Sequence, residues 1–157
     1  MSRKVQVYKV FRRIAGTLFS AIVDGPCRIE YSKKDKYDLV FAFVDYDKAM
    51  EFAKPLSCGG LFCTPEIWLC SAEKVFVPKY ILADSCAQCC RWPKRVLKRV
   101  FTGENLKEQA VHNQGFCIFC AKADRPGVAC VVPLSKSLEG RVVCEGLRLV
   151  KKIKEVE

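Results

Sequence analysis

The sequence has no long apolar run. The longest runs, such as residues 39–44, have the length of a β-strand, whereas a membrane-spanning helix needs about 20 apolar residues. The first residues lack the apolar stretch of a signal peptide, and no Asn-x-Ser/Thr sequon occurs. We therefore expect an intracellular protein with no membrane partner, located in the cytoplasm, including that of a host cell if the source is a virus.

Motifs of catalysis are also missing. The sequence contains no Gly-x-x-x-x-Gly-Lys loop, no Gly-x-Ser-x-Gly elbow and no Gly-x-Gly-x-x-Gly turn. Its single histidine, His112, has no local partner that would mark a nucleophile. Acidic residues are scattered rather than grouped. The sequence predicts no catalytic residue and favours a non-enzymatic protein.

Thermolabile residues are scarce, and cysteine is abundant. Asparagine occurs twice, glutamine four times and methionine twice, a pattern that thermal adaptation tends to produce. Eleven cysteines are many for an intracellular chain, because cytosolic thiols usually stay reduced. The excess indicates metal binding, redox chemistry or the internal disulfides of a thermophilic archaeal protein. Since eleven is odd, at least one cysteine lies outside any scheme made only of disulfides.

Two Cys-x-x-Cys pairs predict a structural metal site. Cys86 and Cys89 form the first pair, and Cys117 and Cys120 form the second. Two thiolates on one tight turn can bind a single ion, and a second such turn completes the Cys₄ set that zinc prefers. Cys90 follows the first pair directly and competes for the ligand role. Disulfides and buried free thiols are the alternative interpretations.

The other cysteines carry weaker signals. Cys58 and Cys63 flank a Gly-Gly pair and are a candidate disulfide, although proximity in sequence does not establish the required geometry. Four more lie within strand-like patterns, where a small apolar core role is the default. These are Cys27, Cys70, Cys130 and Cys144.

The net charge of +10 predicts a polyanionic partner. Basic surfaces attract nucleic acid by counterion release and long-range steering; the alternative is a solvated coat. The densest cluster surrounds a tryptophan that could stack on a base. We predict that this cluster contacts nucleic acid or a nucleoprotein through Arg91, Trp92, Lys94, Arg95, Lys98 and Arg99. Smaller basic groups occur at Arg12/Arg13, Lys33/Lys34/Lys36 and Lys151/Lys152/Lys154.

Hydrophobic periodicity predicts an α+β fold with a mainly antiparallel sheet and one or two short helices. Asp45 resembles a helix N-cap, an apolar stripe follows it, and Pro55 should close the helix. A second helix is expected over 94–101, after Pro93. Strands are predicted at 5–11, 17–23, 27–31, 38–44, 66–71, 75–77, 128–132, 141–144 and 147–153. We expect one domain, 1–157, with a cysteine-rich basic insertion at about 84–130.

Several segments together are similar to a known domain. The segments 8–12, 18–23 and 40–43, followed by 47–53, resemble a small uncharacterised α+β domain of tailed phages, archaeal viruses and related mobile elements. The segments 66–72 and 140–150 are similar to its later strands. The resemblance implies the fold and a viral source, but no catalytic residue. The stretch 84–130 departs from that pattern.

Three hypotheses on function follow. The first is a non-enzymatic binding protein of a virus or thermophilic archaeon, which contacts nucleic acid or a nucleoprotein through a basic face stiffened by a Cys₄ zinc site. The second is a virion or protein-interaction component that self-associates or binds another protein and has disulfides or core thiols instead of metal. The third, an enzyme acting on nucleotides or NAD, rests only on the size and class of the fold.

Overall fold

A computed structural model of the protein describes residues 3–22, 29–56, 64–78, 80–82, 95, 98, 101–102, 131–133 and 140–155, with the backbone alone for 80–82, 131–133 and 154–155. Its elements are β1 (Val5–Ile14), β2 (Thr17–Ser20), β3 (Val40–Phe43), α1 (Tyr46–Ala53), β4 (Thr64–Ala72), β5 (Lys74–Phe76), β6 (Tyr80–Leu82), β7 (Val131–Pro133), β8 (Arg141–Glu145) and β9 (Arg148–Glu155). A short 3₁₀ turn, Lys54–Leu56, follows α1.

The strands form a seven-stranded sheet in the order β5-β8-β3-β1-β4-β9, with β2 also paired to β1. Each pairing is antiparallel, including that of β6 with β7 in a separate two-stranded sheet. The predicted α+β class and mainly antiparallel sheet are confirmed. Most of the predicted insertion, 84–130, lies outside the described residues. No helix in the described ranges is long and apolar enough to cross a membrane.

Strand β1 organises the sheet. It pairs with β4 from Val5 to Arg13 on one edge, while its other edge meets β3 at Tyr8 and then turns back into β2. The β1–β2 turn has two residues, Ala15 and Gly16, and both have positive φ, at 51° and 84°. Such turns match the right-handed twist of the flanking strands. The strand therefore runs to Ile14, beyond the predicted end at residue 11.

The two faces of the sheet are covered differently. Alternate residues of a strand point to opposite faces, so Val7 and Phe11 pack on one face beneath Tyr31 and Tyr37. Helix α1 covers the other face. There the Tyr8 and Tyr46 rings are 5.6 Å apart and those of Phe43 and Phe52 are 5.5 Å apart. The first face carries the core that later forms the floor of the candidate site.

Helix α1 follows the predicted pattern. The Asp45 side chain accepts a hydrogen bond from the Asp47 amide at 2.9 Å, which satisfies one of the donors left unpaired at a helix start. Ala49 and Ala53 are fully buried against the sheet. The helix ends at Ala53, and Pro55 lies in the 3₁₀ turn that follows. The predicted cap and helix end are confirmed.

Several predicted strands need correction. In the predicted strand 27–31, the described residues 29–31 are not in a strand, because Tyr31 makes one backbone bond to Leu18 and uses its ring to cover the core. The strand predicted from residue 38 begins at Val40, since Leu39 has φ +57°. Strand β4 begins at Thr64, two residues before the predicted start at residue 66. Strand β6 was not predicted, and β7 contains residues 131–132 of the predicted strand 128–132, whose first three residues lie outside the described part of the chain.

A lysine is fully buried in the first face of the sheet. The Lys9 ammonium donates to the Phe41 carbonyl at 2.5 Å, near the point where β1 leaves β3 to pair with β2. It also lies 5.5 Å from the centre of the Phe11 ring and 5.4 Å from that of Tyr31. A buried ammonium must replace the hydration it loses, and here a carbonyl and two aromatic faces do so.

Candidate nucleic-acid interface

The predicted metal and disulfide cysteines lie outside the described residues. They are Cys86, Cys89, Cys117 and Cys120 for zinc, and Cys58 and Cys63 for the disulfide. Within the described ranges, no three histidine, cysteine, aspartate or glutamate side chains form a group that could hold a metal ion. Zinc binding and the disulfide therefore stay predictions. His112 also lies outside the described part.

Two other cysteines have the predicted core role. Cys70 and Cys144 are both fully buried in the hydrophobic cluster on the first face of the sheet. Burial raises the pKa of Cys70 to about 12, although the nearby Lys9 charge acts in the opposite direction. The Cys70 thiol lies 3.7 Å from the Trp68 carbonyl. It remains protonated at neutral pH and is a poor nucleophile, because the thiolate is the reactive form.

The predicted basic cluster is described at two positions. Arg95 and Lys98 are helical and exposed, in agreement with the helix predicted over 94–101; Arg91, Trp92, Lys94 and Arg99 lie outside the described residues. Phe101 is fully buried and its ring lies 5.1 Å from that of Phe41. This contact attaches the helical residues to the sheet face that α1 also covers.

Arg95 and Lys98 line a cleft of mixed charge. Its volume is about 360 Å³. The Lys98 ammonium is 3.1 Å from a carboxylate oxygen of Glu145, and that of Lys36 is 3.5 Å from Glu73. Asp38 accepts from the Gly146 amide at 2.8 Å. Among the described lining residues, carboxylates offset most of the positive charge and no aromatic ring offers a stacking surface for a base.

A second cleft lies on the first face, and we call it the tryptophan cleft. Its volume is about 440 Å³, and its walls come from the β1–β2 turn, from β4 and from the turn at 30–35. It is lined by the basic residues Arg13, Lys33 and Lys34, by the acidic residues Glu30 and Asp35, and by Thr17, Tyr31 and Trp68, among others. A half-buried tryptophan thus lies among charged side chains of both signs, which come from different segments.

A buried carboxylate fixes the Trp68 ring. The Trp68 indole N–H donates to Glu66 at 3.0 Å. Glu66 is only 1% exposed and also accepts two hydrogen bonds from the Arg13 guanidinium, at 2.6 and 3.1 Å. Arg13 donates a further bond to the Gly16 carbonyl at 3.1 Å. The β1–β2 turn, the arginine and the tryptophan are therefore held by one paired carboxylate.

The ionisation of Glu66 follows from these contacts. Burial alone raises the pKa of a carboxyl group. For Glu66, the hydrogen bonds from Arg13 and Trp68 and the charges of Arg13 and Lys152 outweigh burial, so its pKa lies below the ordinary value of 4.5. The carboxylate is charged at neutral pH and can accept all three bonds. The position of Trp68 is set before any ligand arrives.

Lysines surround the open side of the ring. The Lys33 ammonium lies 6.0 Å from the Trp68 ring centre, an interaction worth about 0.5–1 kcal/mol at an exposed site. Lys152 of β9 pairs directly with Trp68 of β4, and paired residues of neighbouring strands point to the same face. Within the described part of the chain, no ion pair engages Lys33 or Lys34. Glu30 and Asp35 also line the tryptophan cleft, so its charge is mixed too, and the feature that distinguishes it is the lysine ammonium held over the tryptophan ring.

Comparison with known proteins gives no relative. No protein-family model, curated protein or solved structure matches the chain. The resemblance to a viral α+β domain therefore stays a prediction.

The tryptophan cleft was missed at the sequence level, although its components were visible. Lys33/Lys34, Lys151/Lys152 and Arg12/Arg13 stood out as basic pairs far apart in the chain. The registers of β1 with β4 and of β4 with β9 bring Arg13 and Lys152 to the face of the sheet that carries Trp68, and the turn at 30–35 brings Lys33 and Lys34 to the same cleft. The alternation of Glu66 and Trp68 within a predicted strand was the available signal, because it places both side chains on one face.

Proposed function

We propose that this protein is a non-enzymatic nucleic-acid or nucleoprotein binder. The observation that carries the proposal is the tryptophan cleft, in which Trp68 is fixed by Glu66 and bordered by Lys33 and Lys152. Aromatic rings provide stacking surfaces for bases, and a basic rim follows the phosphates. A net charge of +10 adds long-range attraction.

The predicted cluster from Arg91 to Arg99 serves in this proposal as a second binding region. Lys98 is paired with Glu145, so it can bind a phosphate only after this ion pair opens. Opening costs little, because exposed ion pairs are worth only about 0–1 kcal/mol. We retain the proposals of a viral or thermophilic archaeal source and of a Cys₄ zinc site that stiffens this region.

Binding should weaken steeply with salt. Neutralisation of about four phosphates predicts a slope of about −2.8 for the logarithm of the binding constant against that of salt concentration on a single strand. The affinity should therefore fall about 50-fold between 50 and 200 mM salt. Fluorescence anisotropy with a labelled mixed-sequence oligonucleotide measures this. The double variant Lys33→Gln/Lys34→Gln should bind less tightly and reduce the magnitude of the slope by about 0.7 for each phosphate that is no longer neutralised.

The matched control changes the same charge elsewhere. Lys48 and Lys54 lie in and after α1, which covers the opposite face of the sheet, so Lys48→Gln/Lys54→Gln lowers the net charge equally. It should leave the salt slope unchanged. A parallel variant, Arg95→Gln/Lys98→Gln, measures the contribution of the predicted cluster. Equal effects of all three pairs would mean non-specific attraction, and absent or salt-insensitive binding by the wild type would refute the proposal.

Zinc content has its own test. Native mass spectrometry should find one zinc ion per chain, lost in the variant Cys117→Ser/Cys120→Ser, because two remaining thiolates do not complete a tetrahedral site. A count of reactive thiols in the native protein should not include Cys70, because this thiol is buried and its pKa is raised to about 12. Metal-free protein with few free thiols after unfolding would instead indicate disulfides.

A second candidate is the virion or protein-interaction component. It is favoured by an apolar groove of about 590 Å³ along the edge strand β5, lined by Val5, Val75, Phe76 and Val77 among others. Contiguous apolar surface often marks protein interfaces. A stable complex or dimer in sedimentation, together with absent oligonucleotide binding, would support this function over the first.

A further inference from the structure

We propose that the tryptophan cleft accepts one unpaired base, so that the protein selects single-stranded over double-stranded nucleic acid. This inference rests on the proposed function and adds the class of ligand and the way it is read. It assigns the stacking role to Trp68 and phosphate binding to Lys33 and its neighbours. Three features support it, namely the fixed ring, the shape of the cleft and the cation above the ring.

The ring is preorganised for stacking. Its N–H edge is held by Glu66 at 3.0 Å, and the Phe11 ring stands nearly perpendicular to it, at 87° with the centres 6.4 Å apart. Phe11 in turn packs on Tyr31, with the ring centres 5.0 Å apart. A side chain that is already fixed loses little conformational freedom when a ligand binds. Trp68 is therefore suited to receive a flat partner on its face.

The group above the ring is one that can move. Lys33 belongs to the polar turn between Tyr31 and Tyr37, is exposed, and approaches Trp68 through its ammonium group, at 6.0 Å. A base that stacks on the indole displaces this ammonium, which then lies close to the phosphate of the same nucleotide. Lys33 thus exchanges its contact with the ring for a contact with a phosphate. An aliphatic side chain at this place would gain nothing by moving and would block the ring.

The shape of the cleft favours an unpaired base. Its volume of about 440 Å³ is in the range of small-ligand pockets, about 300–1,000 Å³, and its walls include both the β1–β2 turn and the turn at 30–35. Bases of a duplex have both faces covered by neighbouring pairs and must leave the stack before a side chain can reach them. Bases of a single strand present their faces without that cost.

Tryptophan fluorescence provides a direct test. The chain has two tryptophans, so the variant Trp92→Phe leaves Trp68 as the single reporter. Titration with a mixed-sequence single strand should quench this fluorescence, because a stacked base contacts the indole face. A single strand of abasic sites carries the same phosphates without bases, and it should bind with little quenching.

Affinity variants separate stacking from charge. Trp68→Ala should weaken binding of the mixed-sequence single strand about 5- to 150-fold, and Trp68→Phe, which keeps a ring, should lose less. Neither variant should change the affinity for duplex or for the abasic strand. Thermal unfolding shows whether Trp68→Ala is folded, and Trp68→Phe keeps the test valid if it is not.

The outcomes distinguish this inference from the proposed function. Loss confined to the strand that carries bases, with quenching, supports the unpaired-base site. Equal losses for abasic and mixed-sequence strands, or no loss in a folded Trp68→Ala, would overturn it while salt-dependent binding remained. If the wild type binds no oligonucleotide at all, both the proposed function and this inference fail.

Discussion

Replacing Lys9 with alanine should lower the free energy of unfolding by about 3–5 kcal/mol. The side chain is fully buried, its ammonium donates to the Phe41 carbonyl, and its charge lies against the Phe11 and Tyr31 rings. Alanine leaves a cavity at the centre of the sheet and removes these interactions. Because whole domains are stable by only about 5–15 kcal/mol, urea unfolding should show a much lower midpoint.

Two further variants identify the source of the Lys9 effect. Lys9→Met keeps most of the volume of the stem and removes the charge, so it should cost less than half as much as Lys9→Ala. Lys4→Ala makes the same change at an exposed position of the chain and should stay within about 0.5 kcal/mol of the wild type. A loss below about 1 kcal/mol for Lys9→Ala would contradict the burial of this side chain.

Replacing Arg13 with methionine should cost about 2–3 kcal/mol at neutral pH, because it leaves the Glu66 carboxylate buried without its ion pair. This cost is smaller than the about 3–5 kcal/mol typical of fully buried pairs, since the Arg13 side chain is 38% exposed and solvent screens the interaction. Glu66→Gln should cost less, because the amide oxygen still accepts from Trp68 and the arginine reaches water. Chemical unfolding of both single variants and the double variant gives the coupling between the two residues.

The loss in Arg13→Met should also depend on pH. In the wild type, folding lowers the pKa of Glu66 below its ordinary value of 4.5. The ionised carboxylate therefore contributes its full stabilisation of the fold above that ordinary value, and this stabilisation is lost as the pH falls through the lower pKa of the folded state. Without Arg13, burial should raise the pKa instead, and acid should then favour the folded variant. The difference in stability between wild type and variant should therefore shrink on acidification from pH 7 toward pH 4. A constant difference over that range would contradict this assignment.

The sequence predicted elements whose signals are local. The Asp45 cap, the apolar stripe of α1 and the helix end before Pro55 depend on neighbours within a few residues, and all are confirmed. Strand ends were less accurate, because β1 and β4 extend through polar residues that pair across the sheet. The prediction of a strand at Tyr31 is wrong. Its aromatic side chain is there to pack in the core and does not mark a residue of a β-ladder. The tryptophan cleft could not be found because it exists only through the register of distant strands.

Strand order has a consequence for how the chain folds. Strand β3 pairs with β8, and β4 pairs with β9, so each waits for a partner that lies some 75 to 100 positions later in sequence. Pairings of such high sequence separation are reached slowly, since the intervening loop must be closed before any pairing energy is gained. Until then β3 and β4 can pair only with β1, on one edge each. Their other edges stay unpaired and are open to pairing with other chains. We therefore expect folding of this protein to be slow and to proceed best in dilute solution.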